Sequence, residues 1–247
     1  MKDSTFLNRV KTVGIFGASG AIGRAYLSFF SNVDSVETIL AFSRTAINVS
    51  SRKIITHHID YSKESSIINS KKKLPKDTFF DLLLVTSGSL HHKDFMPEKS
   101  IKQFSADSAY FFYLVNTIGP GLIMKHFYTL LNRDTPSIMA FLCARIGSIS
   151  DNRLGGWYSY RASKAALAMM IKTMSIELKR YHPKAICIGL HPGTVDTPLS
   201  QPFQKNISPK TIQSPSDSVQ NMIHTLEHLT INDSGFQYAY DGTKIPE

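Results

Sequence analysis

Tyr160 and Lys164 stand four residues apart in Tyr158-Ser159-Tyr160-Arg161-Ala162-Ser163-Lys164, a stretch that opens a helix-like run. Four residues are about one helical turn, so both side chains leave the same face. The pairing has chemical meaning because free tyrosine titrates near about 10, too high for ready proton exchange at neutral pH. A neighbouring ammonium favours the phenolate and lowers that value, which makes the phenol usable as a general acid or base. Tyr158 has Ala162 where the lysine would have to be, so Tyr160 is the proton-transfer candidate. Taken alone, a Tyr-x-x-x-Lys pair recurs by chance in many helices, and its weight depends on the rest of the chain.

The second feature able to do chemistry is Gly17-Ala18-Ser19-Gly20-Ala21-Ile22-Gly23, which follows an apolar run and precedes a helix-like segment. Glycines in that place permit a tight turn, close approach of backbone to a pyrophosphate, and close packing of helix on strand. The helix N-terminus adds unpaired N–H groups and the positive end of its dipole. Such a dinucleotide turn calls for an acidic residue roughly 20 positions later to hold the ribose hydroxyls. The second apolar run instead ends Ala41-Phe42-Ser43-Arg44. A planar guanidinium suits a 2′-phosphate and a serine hydroxyl can support it, which favours NADP(H) over NAD(H). The expected contacts here are Gly17, Ser19, Gly20, Ala21, Ile22, Gly23, Ser43 and Arg44.

These groups must be positioned by an alternating chain. Apolar runs at 11–16, 38–42, 53–58, 81–86, 137–143, 185–190 and 235–239 read as strands buried on both faces, without strict alternation. Helix-like segments fall between them, at 21–31, 63–73, a long region 106–131, 158–181 and 216–229. Repeated β-α-β order implies α/β architecture: one doubly wound, Rossmann-type domain over 1–247, with a parallel seven-stranded sheet and helices on both faces. Pro120, between Gly119 and Gly121, is expected to kink or reset the long helix.

With the glycine turn and the Tyr160–Lys164 pair in this order, the chain resembles the short-chain dehydrogenase/reductase family over essentially its whole length. The resemblance implies four catalytic positions. Tyr160 would protonate the carbonyl oxygen, and Lys164 would lower its pKa and bind the nicotinamide ribose. Ser148, twelve residues ahead of the tyrosine, would hydrogen-bond the substrate oxygen, with Ser150 a less well spaced rival. Asn116 would hold a water of the proton relay. It further implies cofactor contacts from Asp60 and Tyr61 after the third strand, from Ser87 and Gly88 after the fourth, and from Pro192, Gly193, Val195 and Thr197. Three positions depart from the family pattern. Phe16 replaces a threonine whose hydrogen bond steadies the turn, Ala21 replaces a glycine, and Thr86-Ser87-Gly88 stands where Asn-Ala-Gly is usual. The segments 148–157 and 240–246 narrow the likeness to a C-factor-like subgroup, named for a bacterial cell–cell signalling protein.

Composition sets the outer limits. Two cysteines, Cys143 and Cys187, lie in apolar runs and read as small buried hydrophobes in a reducing compartment. With no apolar run of the roughly 18 residues that a span needs and no signal-like N-terminus, a cytoplasmic location without membrane attachment is expected. The formal charge is +9. Its densest run, Lys71-Lys72-Lys73, lacks interleaved aromatics, so a solvated helix end is expected rather than nucleic-acid binding. His57-His58 and His91-His92 carry no metal-ligand motif, and no metal is expected. Residues 199–215 are expected to cover the nicotinamide as a lid, with Trp157 near the cleft. A small carbonyl compound or alcohol is the expected substrate. The helices around Asn116 and after Tyr158 are surfaces on which family members dimerise or form tetramers. A nucleotide-binding regulator without turnover is the rival function.

Overall fold

The computed structural model describes residues 6–48 and 50–247. In chain order its main elements are β1 (Thr12–Phe16), α1 (Ala21–Ser31), β2 (Thr38–Ser43), β3 (Ile54–His58), α2 (Glu64–Lys72), β4 (Leu82–Val85), α3 (Ala106–Tyr113), α4 (Gly119–Phe127), β5 (Ser137–Leu142), α5 (Tyr158–Tyr181), β6 (Ala185–His191), β7 (Thr194–Val195), β8 (Ile212–Gln213), α6 (Pro215–Glu227) and β9 (Gln237–Ala239). Seven strands form one sheet in the order β3-β2-β1-β4-β5-β6-β9, and each neighbouring pair is parallel. This is the doubly wound Rossmann-type α/β fold. The order reverses at β1, which places the C-terminal ends of β1 and β4 side by side at the switch point where such sheets bind ligands.

Why the strands lack alternation is visible in the packing. Ile138 and Ala140 of β5 belong to a core shared with α1 and α6, whereas Met139 and Phe141 belong to a second core shared with α4 and α5. Successive residues point to opposite faces, and both faces are covered, so β5 is apolar without a break from Ile138 to Leu142. At the edge, β3 is largely exposed. Phe16 stacks on Phe42 at 4.3 Å and meets Phe127 edge-on at 4.8 Å, and all three rings are fully buried. Each such ring contributes roughly 1.5–3 kcal/mol relative to exposure. That explains what Phe16 gains in a place where a hydrogen-bonding side chain is usual.

The expected helix at 106–131 is split. A single π-type turn, Leu114–Ile118, separates α3 from α4, and Pro120 occupies the first turn of α4. Proline has no N–H to donate to the carbonyl of Asn116, four residues back, so the regular ladder cannot pass this point. The consequence is local: Asn116 sits inside the widened turn, fully buried.

Candidate active site

The glycine turn closes through its own backbone, with the Gly20 amide donating to the Gly17 carbonyl at 3.0 Å. Gly17 has φ 84°, a left-handed conformation that favours glycine. A Cβ on Gly23 would stand 2.4 Å from the Gly17 carbonyl oxygen, so the first turn of α1 lies directly on the loop. The hydrogen bond that Phe16 cannot make comes from across the sheet. The Thr86 hydroxyl donates to the Phe16 carbonyl at 2.9 Å and reaches that of Gly17 at 3.3 Å. Two departures from the family pattern thus offset one another.

Beside this turn lies a cavity of about 230 Å³ that brings Gly17, Ser19 and Gly20 together with Ser43, Arg44, Asp60, Tyr61, Ser87 and Gly88. Arg44 is its exposed cation. The Ser43 hydroxyl is turned inward, donating to the Thr45 carbonyl. Against partial burial, which acts upward, bonds from the Ser62 hydroxyl (2.7 Å) and amide (3.0 Å) hold the Asp60 carboxyl below its ordinary range, and Arg44 adds to this. The Tyr61 hydroxyl and Ser87 Oγ are buried here within reach of each other, and neither makes a well-formed hydrogen bond among the described residues. Buried hydroxyls so poorly paired carry a desolvation cost that a ligand's polar groups would remove.

A second cavity, of about 280 Å³, shares Thr86, Ser87 and Gly88 with the first. It is lined by Tyr160, Lys164 and Ile22, and by Pro192, Gly193, Val195 and Thr197 from the segment after β6. Both Tyr160 and Lys164 project from the start of α5 and are nearly buried. Lys164 Nζ donates to the Leu142 carbonyl at 2.8 Å, and burial pushes its pKa down to about 8. Burial also raises the Tyr160 pKa, with a further rise from Cys143. The downward pull of Lys164 expected from the sequence is not among the influences on the phenol here, which act upward.

Asn116 lies close by but does not line the cavity. Its Oδ1 accepts from the Ser89 amide at 2.8 Å, while its Nδ2 donates to the Ser89 carbonyl at 2.9 Å and to Ser163 Oγ at 3.1 Å. It ties the loop after β4 to α5. A Cβ on Gly88 would stand 3.4 Å from both Asn116 Oδ1 and Lys164 Nζ, so glycine there keeps the loop against the lysine.

Ser148 is not brought to this cavity. The turn Arg145–Gly147 carries it past α5, where it accepts from the Asp151 amide at 3.2 Å and lines a separate small cavity with Ala165, Met169 and Gly235. Gly147 packs so tightly on α5 that a Cβ would stand 2.8 Å from that of Lys164, which shows how the chain passes behind the helix. Ser150 is likewise directed elsewhere, toward the Glu247 carbonyl. The side chain that does share the cavity with Tyr160 and Lys164 is Cys143, which the sequence reading treated as inert packing. It is 3% exposed and its Sγ lies against Gly189, at 3.1 Å from where a Cβ would stand. Burial pushes the thiol up to about 12, so it is protonated at neutral pH and can act as a weak S–H donor. Strand parity was the available signal: 139, 141 and 143 all face α5.

The segment after β6 is fixed from several sides. The Pro192 carbonyl accepts from Ser218 Oγ at 2.7 Å and from Gln213 Nε2 at 3.1 Å, and Gly193 has φ 76°. Pairing of β7 with β8, unforeseen in the sequence, closes residues 196–211 into a loop. Phe203 from this loop reaches the cavity.

The fit to a dinucleotide can be judged on these observations. Gly17 and Gly23 leave a cradle that side chains would fill, Tyr61 and Ser87 hold poorly paired buried hydroxyls, and Arg44 offers an exposed cation at the same cavity. The residues present suit a nicotinamide dinucleotide. Comparison with known proteins agrees: the family model described as short chain dehydrogenase matches residues 11–208. The chain belongs to the short-chain dehydrogenase family.

This chain is similar to proteins described as oxidoreductases. It is 33% identical to an uncharacterized oxidoreductase of Schizosaccharomyces pombe over 54% of this chain, and spans 56% of that relative's length. It is 34% identical to the C-signal protein of Myxococcus xanthus, over 54% of this chain and 75% of that one. Among solved structures, the NADPH-bound carbonyl reductase from chicken fatty liver superposes with a TM-score of 0.84 at 21% identity, covering 97% of this chain and 95% of its own. At that identity the likeness speaks for the fold. Among the described residues no helix is long and apolar enough to cross a membrane.

Proposed function

We propose that this short-chain dehydrogenase is an NADP(H)-dependent enzyme that interconverts a small carbonyl compound and its alcohol. The observation that carries the reading is the pair of adjoining cavities, one holding Arg44 beside the glycine turn and the other holding Tyr160, Lys164 and Cys143. When bound, reduced nicotinamide supplies the hydride that adds to the carbonyl carbon. The chain's own groups do the rest. Tyr160 gives its phenolic proton to the carbonyl oxygen, so that the alcohol leaves neutral. Lys164, with a pKa near 8, holds a proton that can restore the phenol. The Cys143 thiol donates to the same oxygen. Pro192, Gly193, Val195 and Thr197 orient the nicotinamide, and Arg44 binds the 2′-phosphate. Two buried free cysteines fit a cytoplasmic setting, and the exposed Met169, Ile176 and Tyr181 on α5 fit a dimer or tetramer.

The test is NADPH oxidation against a panel of aldehydes, ketones and quinones with three proteins. Tyr160→Phe is expected to lower kcat by about 10²- to 10⁴-fold while NADPH still binds. Arg44→Asp is expected to reverse the preference of NADPH over NADH. Failure to bind either nucleotide, or equal use of both by the wild type, would refute the corresponding part. The rival, a nucleotide-binding regulator, draws its support from the weak donor Cys143. Tight NADPH binding without turnover across the panel would select it.

A further inference from the structure

Trp157 is the one non-glycine residue among the described residues with positive φ, at 53°. It follows Gly155 (φ 64°) and Gly156 (φ 66°), so three consecutive residues are left-handed immediately before α5. A tryptophan in this region is strained, and such strain persists only where surroundings over-determine it. Here they do. The Trp157 amide donates to the Glu98 carbonyl at 2.5 Å, and its carbonyl accepts from the Arg161 amide at 2.8 Å. The guanidinium of Arg161 grips the carbonyls of Gly156 (3.0 Å), Gly155 (3.1 Å) and Ile146 (3.1 Å). Glu98, 2% exposed, uses its carboxylate to accept from the Ser159 hydroxyl and from the Ser159 amide at 3.2 Å. Together these bonds fix the backbone that carries the indole.

That indole lines the cavity beside the proton donor. Its ring centroid lies 6.2 Å from that of Tyr160 and 5.1 Å from that of Phe203, both edge-to-face. Leu90, Ile146 and Leu199 complete the apolar side. Lys164 is the sole lysine or arginine in the lining, no carboxylate lines it, and the Lys164 amine is already bonded to the Leu142 carbonyl. His191 is pushed down to about 4, largely by burial, and is neutral at physiological pH. A carbonyl oxygen placed at Tyr160 must therefore project its substituent against Trp157 and Phe203, with no free counter-charge to greet an acid. The cavity is at the small end of ligand sites.

We propose that Trp157 and Phe203 form an aromatic clamp that selects uncharged aryl aldehydes or ketones. The proposal rests on the carbonyl-reducing reading above. Ring-to-ring contact adds about twofold to tenfold in affinity beyond the area buried. The test compares benzaldehyde, cyclohexanecarbaldehyde and a carboxylate-bearing benzaldehyde with saturating NADPH. Wild type is expected to favour benzaldehyde over the cyclohexyl compound by about fivefold to tenfold in kcat/KM, and over the acid by more. Trp157→Gly removes the indole, and glycine accepts φ 53° without strain, so the backbone path survives. It is expected to bring the aryl-to-cyclohexyl ratio within twofold, and Trp157→Phe to retain part of it. A wild type that does not discriminate, or a ratio unchanged in Trp157→Gly, would overturn the clamp. If no aldehyde is turned over, the carbonyl-reducing reading fails separately, and fluorescence still decides the clamp because Trp157 is the only tryptophan. Saturable quenching by benzaldehyde in the NADP⁺ complex, absent with the cyclohexyl compound, supports it; no quenching overturns it.

Discussion

Substituting Gly23 by alanine tests the cofactor site at the point where the structure leaves least room. The added Cβ would stand 2.4 Å from the Gly17 carbonyl oxygen, 2.8 Å from Ala18 Cα and 3.0 Å from the Ala18 carbonyl carbon. Ordinary contact is about 3.5 Å, so the deficit is roughly 1 Å. Every obstructing atom is backbone, and none can be cleared by a rotamer change. Either the glycine turn opens or α1 tilts away from it. Overpacking of this kind costs about 1–3 kcal/mol. A shift of about 1 Å also stretches an N–H···O bond of normal length beyond its useful range, so the loss falls on the groups facing the pyrophosphate. An equal loss of binding energy predicts NADPH affinity weaker by about 5- to 150-fold. Gly20→Ala is the internal control: its Cβ would meet one atom, the Gly17 carbonyl oxygen at 3.3 Å, and its φ of −71° suits any residue. Thermal stability of that variant is expected to stay close to wild type. Calorimetric titration with NADPH, alongside thermal unfolding, measures both. Wild-type affinity and stability in Gly23→Ala, or equal damage from the two substitutions, would refute the reasoning.

Two further outcomes follow from the second cavity. Cys143→Ser replaces a weak donor by a hydroxyl of similar size, and kcat/KM for carbonyl reduction is expected to rise about 2- to 12-fold in steady-state assays, against no rise for Cys143→Ala. Lys164→Met is expected to abolish turnover yet stabilise the fold. The lysine pKa falls from 10.5 to about 8 on folding, so the unfolded chain binds more protons between those values and wild-type stability rises with pH across that window. The advantage of Lys164→Met should be full below pH 8, about 1–3 kcal/mol after loss of the bond to Leu142, and should fade by about pH 10.5. Denaturant unfolding at both ends of the window measures it, and a constant difference would refute it.

The doubly wound fold was legible because sheet burial on both faces writes itself as unbroken apolar runs, as in β4 and β6. The splitting of 106–131 was legible only as a kink at Pro120, since a widened turn at Leu114–Ile118 leaves no periodic mark of its own. The pairing of β7 with β8 escaped notice for a related reason. Two-residue strands are fixed by what anchors their ends, here the bonds of Gln213 and Ser218 to the Pro192 carbonyl, and those are tertiary contacts. The offset between Phe16 and Thr86 was hidden in the same way. Each reads as a loss when taken along the chain, and the hydrogen bond that joins them exists only across neighbouring strands.

The two kinds of sequence signal used for the site differ in how far they constrain space. The four-residue spacing of Tyr160 and Lys164 lies within one helix, where the rise and turn per residue are fixed, and the structure brings the two to one cavity. The twelve-residue spacing of Ser148 crosses three left-handed residues, each able to redirect the chain, so the count carries no direction. Parity along a strand is a stronger constraint than distance along a loop. Residues 139 and 141 must face α5 because their side chains belong to the core beneath it, and 143 inherits that face two residues later. A side chain sharing the cavity with Tyr160 was therefore to be sought at 143, at the point where β5 runs out, and the residue there is a thiol rather than a hydroxyl.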